Sequence, residues 1–78
     1  MTTIWVNENG TYFLFRDGIY TGAVLIQKHH AEYVWVTRVS EEHTESFPLY
    51  DNKHFDQLLD AKDCLEELAD KILISRQA

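Results

Sequence analysis

Cysteine, proline, glycine and positive charge are all scarce in this chain, and each scarcity excludes something. A single cysteine, Cys64, rules out an intramolecular disulfide, so the fold must rest on its hydrophobic core. That use of cysteine fits a reducing compartment, and the expected location is cytoplasmic. One proline and three glycines leave no low-complexity tract or linker, so the 78 residues read as one domain. No uninterrupted apolar run exceeds four residues (Ala23-Val24-Leu25-Ile26 is one), against about 20 needed to span a bilayer. The first residues, Met1 to Ile4, offer neither a basic nor an apolar signal-peptide region. Seven Lys and Arg face thirteen Asp and Glu, a net charge of −6, which argues against a broad, sequence-independent grip on nucleic acid.

What is present is apolar and patterned. Hydrophobic residues make up 45% of the chain, too many for a disordered acidic tail. Ile4-Trp5-Val6 and Tyr12-Phe13-Leu14-Phe15 flank Asn9-Gly10, the preferred pair for a type I′ hairpin turn. Asp17-Gly18 repeats the signal and leads into a third strand over 19–28. After His29-His30-Ala31 comes a fourth strand, over 33–39. An acidic loop over 40–51 follows, in which Phe47-Pro48-Leu49-Tyr50 reads as an edge strand or a packed connector. Asp51 or Asn52 is placed to cap a helix. Over 52–75, Phe55, Leu58, Leu59, Leu65, Leu68, Ala69 and Ile72 recur at helical spacing on one stripe. The expected fold is α+β: a four-stranded antiparallel meander and one C-terminal amphipathic helix packed on one sheet face, ββββα.

Turn chemistry also sets the register. With two-residue loops, Val6 faces Phe13, Ile4 faces Phe15, Phe15 faces Tyr20 and Phe13 faces Gly22. Ile4, Val6, Phe13, Phe15, Tyr20, Val24 and Ile26 then line one side, and Trp5, Tyr12, Leu14, Ala23 and Leu25 the other. An even-length loop after the third strand adds Tyr33 and Trp35 to the first side and Val34 and Val36 to the second. Both sides are apolar, whereas a half-solvated sheet alternates apolar with polar. One helix covers only one of them. The expected exposed patch is Trp5, Tyr12, Leu14, Leu25, Val34 and Val36, with the Phe13 set as its alternative, and a patch of that size calls for a partner.

Charge is segregated as well. Residues 1–40 carry as many acids as bases, so the whole excess lies in 41–78. Asp56, Asp60, Asp63, Glu67 and Asp70 are spaced to form one helical stripe opposite the apolar one, with Glu41, Glu42 and Glu45 in the preceding loop. Such a stripe serves solubility on any helix, and it also suits a basic partner surface.

Catalytic chemistry finds little support. His29, His30, His43, His54 and Cys64 lack metal-ligand spacing, and no cofactor is expected. Neither Ser40 nor Ser46 lies in a nucleophile elbow, and the acid pairs Glu41-Glu42 and Glu66-Glu67 lack the volume for a pocket around them. Arg16, Lys28 and Arg38 among aromatics resemble a base-stacking platform only superficially, since acids cancel them. The expectation is therefore a non-enzymatic acidic protein-binding module. It would be an adaptor or inhibitor of a larger basic protein, such as one that handles nucleic acid. Size and composition suggest, by analogy, a phage- or plasmid-type accessory. The alternative is a homodimeric structural or small-ligand-binding protein whose second apolar sheet face forms the dimer interface.

Overall fold

Two hairpins built on the expected turns start the sheet. In a computed structural model that describes residues 2–28 and 34–77, with side chains through 74, β1 (Thr3–Glu8) and β2 (Thr11–Arg16) join at Asn9-Gly10, with φ of 54° and 88°. β2 and β3 (Ile19–Lys28) join at Asp17-Gly18, with φ of 52° and 79°. Positive φ at both central positions matches the right-handed twist of the strands they connect. The Asn7 carboxamide accepts from the Gly10 amide at 3.1 Å, and the Asp17 carboxylate accepts from the Thr2 amide at 2.8 Å. β4 (Val34–Val39) and a two-residue β5 (His54–Phe55) complete a five-stranded antiparallel sheet in sequential order. A C-terminal helix, α2 (Leu58–Gln77), packs on one face, and none of the described helices is long and apolar enough to cross a membrane. The four-strand meander and the α+β class are as the sequence implies.

Three local features differ from the sequence reading. Phe13 pairs with Val24, not Gly22, because Thr21, Gly22 and Ala23 all lie opposite Leu14 in a bulge. The Thr21 hydroxyl holds that bulge by donating to the Leu14 carbonyl at 2.9 Å and accepting from the Ala23 amide at 3.3 Å. Gly22 sits at φ +86°, and a Cβ there would lie 2.6 Å from the Ser40 hydroxyl. The bulge adds an even number of residues, so side chains keep their faces despite the shift.

The second difference is the parity of β4. Lys28 pairs with Val34, which leaves the odd interval 29–33 between them. Trp35 and Thr37 therefore share a face with Leu25, while Val34 and Val36 fall on the opposite one. Tyr33 and the His29-His30 turn lie outside the described residues.

Third, α2 begins at Leu58 rather than near residue 52, because the expected capping groups serve β4. The Asp51 carboxylate accepts from the Val39 amide at 2.9 Å, and Asn52, at φ 55°, donates its amide to the Thr37 carbonyl at 2.7 Å. The fully buried Thr37 hydroxyl completes the tie, donating to the Tyr50 carbonyl at 2.6 Å and accepting from the Lys53 amide at 2.9 Å. Phe55 thus reaches the core from a strand. The acidic segment before it is partly ordered, with a short α1 (Glu41–Thr44) and a 3₁₀ turn (Pro48–Tyr50). Phe47 and Tyr50 pack on the core as a connector, not an edge strand, while Leu49 points outward, 80% exposed.

Leu14, Ala23, Leu25 and Val39 from the sheet meet Ala61, Leu65, Leu68, Ala69 and Ile72 from α2 to form that core. Each fully buried leucine contributes about 2–3 kcal/mol by transfer from water. Arg16, only 6% exposed, lies on the same side, bonded to the Asp70 carboxylate and, at 3.1 Å, to the Glu66 carbonyl.

Candidate protein-docking surfaces

With α2 on the Leu14 side, the other sheet face is left open. Its rows follow from the register: Ile4, Phe15 and Tyr20; then Val6, Phe13, Val24 and Arg38; then Glu8, Thr11, Ile26, Val36 and His54. Ile4 is 48% exposed, Val6 42%, Tyr20 44% and Ile26 38%. Phe13 and Phe15 are half-buried against Tyr20, with ring centroids 6.1 and 5.5 Å from it. Burial beside these rings raises the Tyr20 phenol above its ordinary 10.0. A contiguous patch of exposed aliphatic and aromatic side chains is the kind of surface that marks an interaction site.

The residues first expected on an exposed face divide differently. Leu14 and Leu25 are fully buried beneath α2. Trp5 and Tyr12 are half-buried at the same interface, Tyr12 standing edge-on to Trp35 at 5.5 Å. The Lys62 ammonium lies 5.8 Å from the Trp5 ring and 5.1 Å from the Tyr12 ring, roofing both. Val34 and Val36 do lie on the open face, although Val36 is only 1% exposed. The open patch is therefore the alternative set, centred on Phe13, Phe15 and Tyr20.

On the opposite side of the molecule, Asp60, Asp63, Glu67 and Asp70 form an exposed ridge along α2. Asp56 is exposed too but precedes the helix. Asp70 is engaged by Arg16. Lys71 is drawn over the Tyr50 ring at 5.2 Å, and its hydrogen bond to the Tyr50 hydroxyl raises its pKa. Lys53 similarly lies 5.9 Å from the Phe55 ring. The loop acids Glu41, Glu42 and Glu45 are exposed on the far end, Glu42 within 3.0 Å of the His43 imidazole.

Concave sites are small or open. A notch of about 60 Å³ between the β2–β3 hairpin and α2 is lined by Arg16, Ile19, Tyr20, Ala69, Ile72 and Leu73. Ligand pockets are typically about 300–1,000 Å³, so this notch admits no more than a small group. A wider, shallow cleft lies over Gly22, beside Ser40, Glu42 and His43. Among the described residues no group of three His, Cys, Asp or Glu is placed to hold a metal ion. Burial raises the Cys64 thiol, with Lys53 opposing that shift and Glu67 adding to it. A raised thiol is a poor nucleophile at neutral pH. Arg16, buried under α2, is also absent from the open face, which removes one member of the superficial base-stacking set.

No protein-family model, curated protein or solved structure matches this chain.

Proposed function

We propose that the protein is a non-enzymatic protein-binding module whose docking surface is the open sheet face. The observation that carries this reading is the patch of Ile4, Val6, Phe13, Phe15, Tyr20 and Ile26, over which no helix or strand packs among the described residues. Flat aromatic and aliphatic surface provides the buried anchors on which interface energy concentrates. Of these six side chains only Tyr20 carries a polar group, its hydroxyl, so burying the patch costs little side-chain desolvation.

A second reading rests on the α2 ridge. Exposed Asp60, Asp63 and Glu67 favour an adaptor or inhibitor role toward a basic protein surface, such as that of a nucleic-acid-handling protein. The two surfaces lie on opposite sides of the molecule, so substitutions separate them. The chain is immobilised and partners are captured from lysate of its source organism. Three forms are compared: wild type, Val6→Glu with Ile26→Glu, and Asp60→Lys with Asp63→Lys and Glu67→Lys. Loss of capture in the sheet-face variant alone supports the first reading. Loss in the ridge variant alone, abolished by salt in the wild type, supports the second. Identical capture by all three forms sinks both.

A further inference from the structure

The open face is apolar at its centre and carries opposite charges at opposite edges. Among the described residues its charged members are Glu8 on the outer strand β1, and Lys28 and Arg38 on β3 and β4. Glu8 and Arg38 stand three strands apart, about 14 Å at ordinary strand spacing, and one pleat apart along the strand direction, about 7 Å. Both are exposed, and Arg38 makes only a loose 3.7 Å contact with Asp51.

We propose that the occupant of this face is a second copy of the chain, stacked sheet on sheet about a two-fold axis that runs roughly along the strands. The inference rests on the docking-face reading above and names its partner. A two-fold in that direction, centred between β2 and β3, places β1 of one copy over β4 of the other, with the two-residue β5 beyond it. Glu8 then meets the partner's Arg38 while Arg38 meets the partner's Glu8. A surface that pairs its own opposite charges under a two-fold is the condition for an isologous interface. With the sheets about 10 Å apart and the two rows offset by about 7 Å, the backbones at Glu8 and the facing Arg38 lie about 12 Å apart, a gap that extended glutamate and arginine side chains span.

The α2 ridges do little to oppose this association. The sheets pack about 10 Å apart, and each acidic ridge lies a further helix layer out on the far side. The ridges are then on the order of 30 Å apart, several times the ~8 Å Debye length at physiological salt. A partner facing α2 would meet the carboxylates of that ridge directly; a second copy facing the open side does not.

Area sets the strength. Four strands by a six-residue strand length give a footprint on the order of 400 Å² per copy. The total buried area falls below about 1,200 Å², where weak and transient interfaces lie. The dimer is therefore a concentration-dependent one, with a dissociation constant in the micromolar range or weaker.

Sedimentation equilibrium of the full chain from about 1 µM to 1 mM at physiological ionic strength, where the ridges are screened from one another, tests this with Glu8→Arg, Arg38→Glu and their equimolar mixture. The wild type is expected to show a monomer–dimer equilibrium. Each reversal alone, which sets like charges together at both symmetric positions, is expected to weaken it about tenfold or more. The mixture sets the two arginines of the Glu8→Arg chain against the two glutamates of the Arg38→Glu chain, and is expected to recover wild-type association. That recovery also shows that each variant is folded. A wild type monomeric throughout, or association equal in both single variants and the mixture, overturns the proposal. If the monomeric wild type still captures another protein and Val6→Glu abolishes that capture, the face is a docking surface for a different partner. If Val6→Glu changes neither capture nor self-association, the docking-face reading falls with it.

Discussion

Replacing Thr37 by valine isolates the contribution of one hydroxyl to the attachment of the 3₁₀ turn and β5. Valine has nearly the shape of threonine, so no cavity opens at this fully buried position. What disappears is the donor to the Tyr50 carbonyl at 2.6 Å and the acceptor for the Lys53 amide at 2.9 Å. Two hydrogen bonds at about 0.5–1.5 kcal/mol each set the scale, and a buried group left unpaired adds about 1–3 kcal/mol. Tyr50 is half-buried and Lys53 exposed, so water offsets some of that penalty, while the lost hydroxyl no longer needs burying. The expected net loss is about 2–3 kcal/mol. For a domain of this size each kcal/mol lowers the melting temperature by about 4–8 °C, so the expected fall is roughly 10–20 °C. Thr37→Ser keeps both bonds and loses a methyl group, about 1 kcal/mol. Thermal and urea denaturation should rank the proteins wild type, serine, valine. Amide exchange at Asn52 and Lys53 should quicken in the valine variant more than at Leu65 or Leu68. A valine variant within about 0.5 kcal/mol of wild type, or one more stable than the serine variant, would refute the role given to this hydroxyl.

Gly22→Ala should destabilise by more than about 1–2 kcal/mol, because φ of +86° strains an L-residue and its Cβ would meet the Ser40 hydroxyl. Adding Ser40→Ala should recover only part of that loss in a melting experiment, since the strain and the 3.1 Å approach to the Ser40 Cβ remain. Cys64 should alkylate slowly at neutral pH, with its rate rising at a midpoint above the 9.0 of a free thiol, because burial disfavours the thiolate. The sign for stability follows: the raised folded-state value favours the neutral thiol, so this contribution is complete below the ordinary value. It is lost as pH rises through the raised one. A wild-type denaturation midpoint that rises relative to that of Cys64→Ala as pH increases through that window would contradict it.

Local turn chemistry was the most legible part of the chain. Asn9-Gly10 and Asp17-Gly18 adopt the positive φ angles their composition demands, and the first hairpin's register follows in full. The bulge was less visible, although Gly22 inside an apolar strand, beside a threonine, was its one available sign. Asp51 and Asn52 mislead because a cap and a strand tie use the same side-chain and backbone groups. Only the position of β4 decides between them. The face chosen by α2 was illegible from periodicity, since both sides of the sheet are apolar. Small residues offered a partial clue: Ala23, Ala61 and Ala69 all fall in the core, where minimal bulk allows helix and sheet to approach. Arg16 concealed itself as a surface base, because its burial depends on Asp70 and the Glu66 carbonyl, about fifty residues away.

The acidity of the chain and its apolar face are better understood together than apart. Burying an unpaired charge at the centre of an interface is costly, whereas charges at a rim cost little and select the partner. The open face follows that division, with Phe13, Phe15, Val24 and Tyr20 inside and Glu8, Lys28 and Arg38 toward its edges. Solubility must then come from elsewhere on a domain of this size. α2 provides it, because the side of the helix turned from the sheet is a broad surface that binding on the open face would not desolvate. Carboxylates placed there repel approach from the α2 side while leaving the open face neutral enough to be covered. Moving the same negative charge onto the sheet, as Val6→Glu and Ile26→Glu do, should raise solubility at high concentration and abolish association at once. The present sequence keeps those two properties on opposite sides of a single layer of strands.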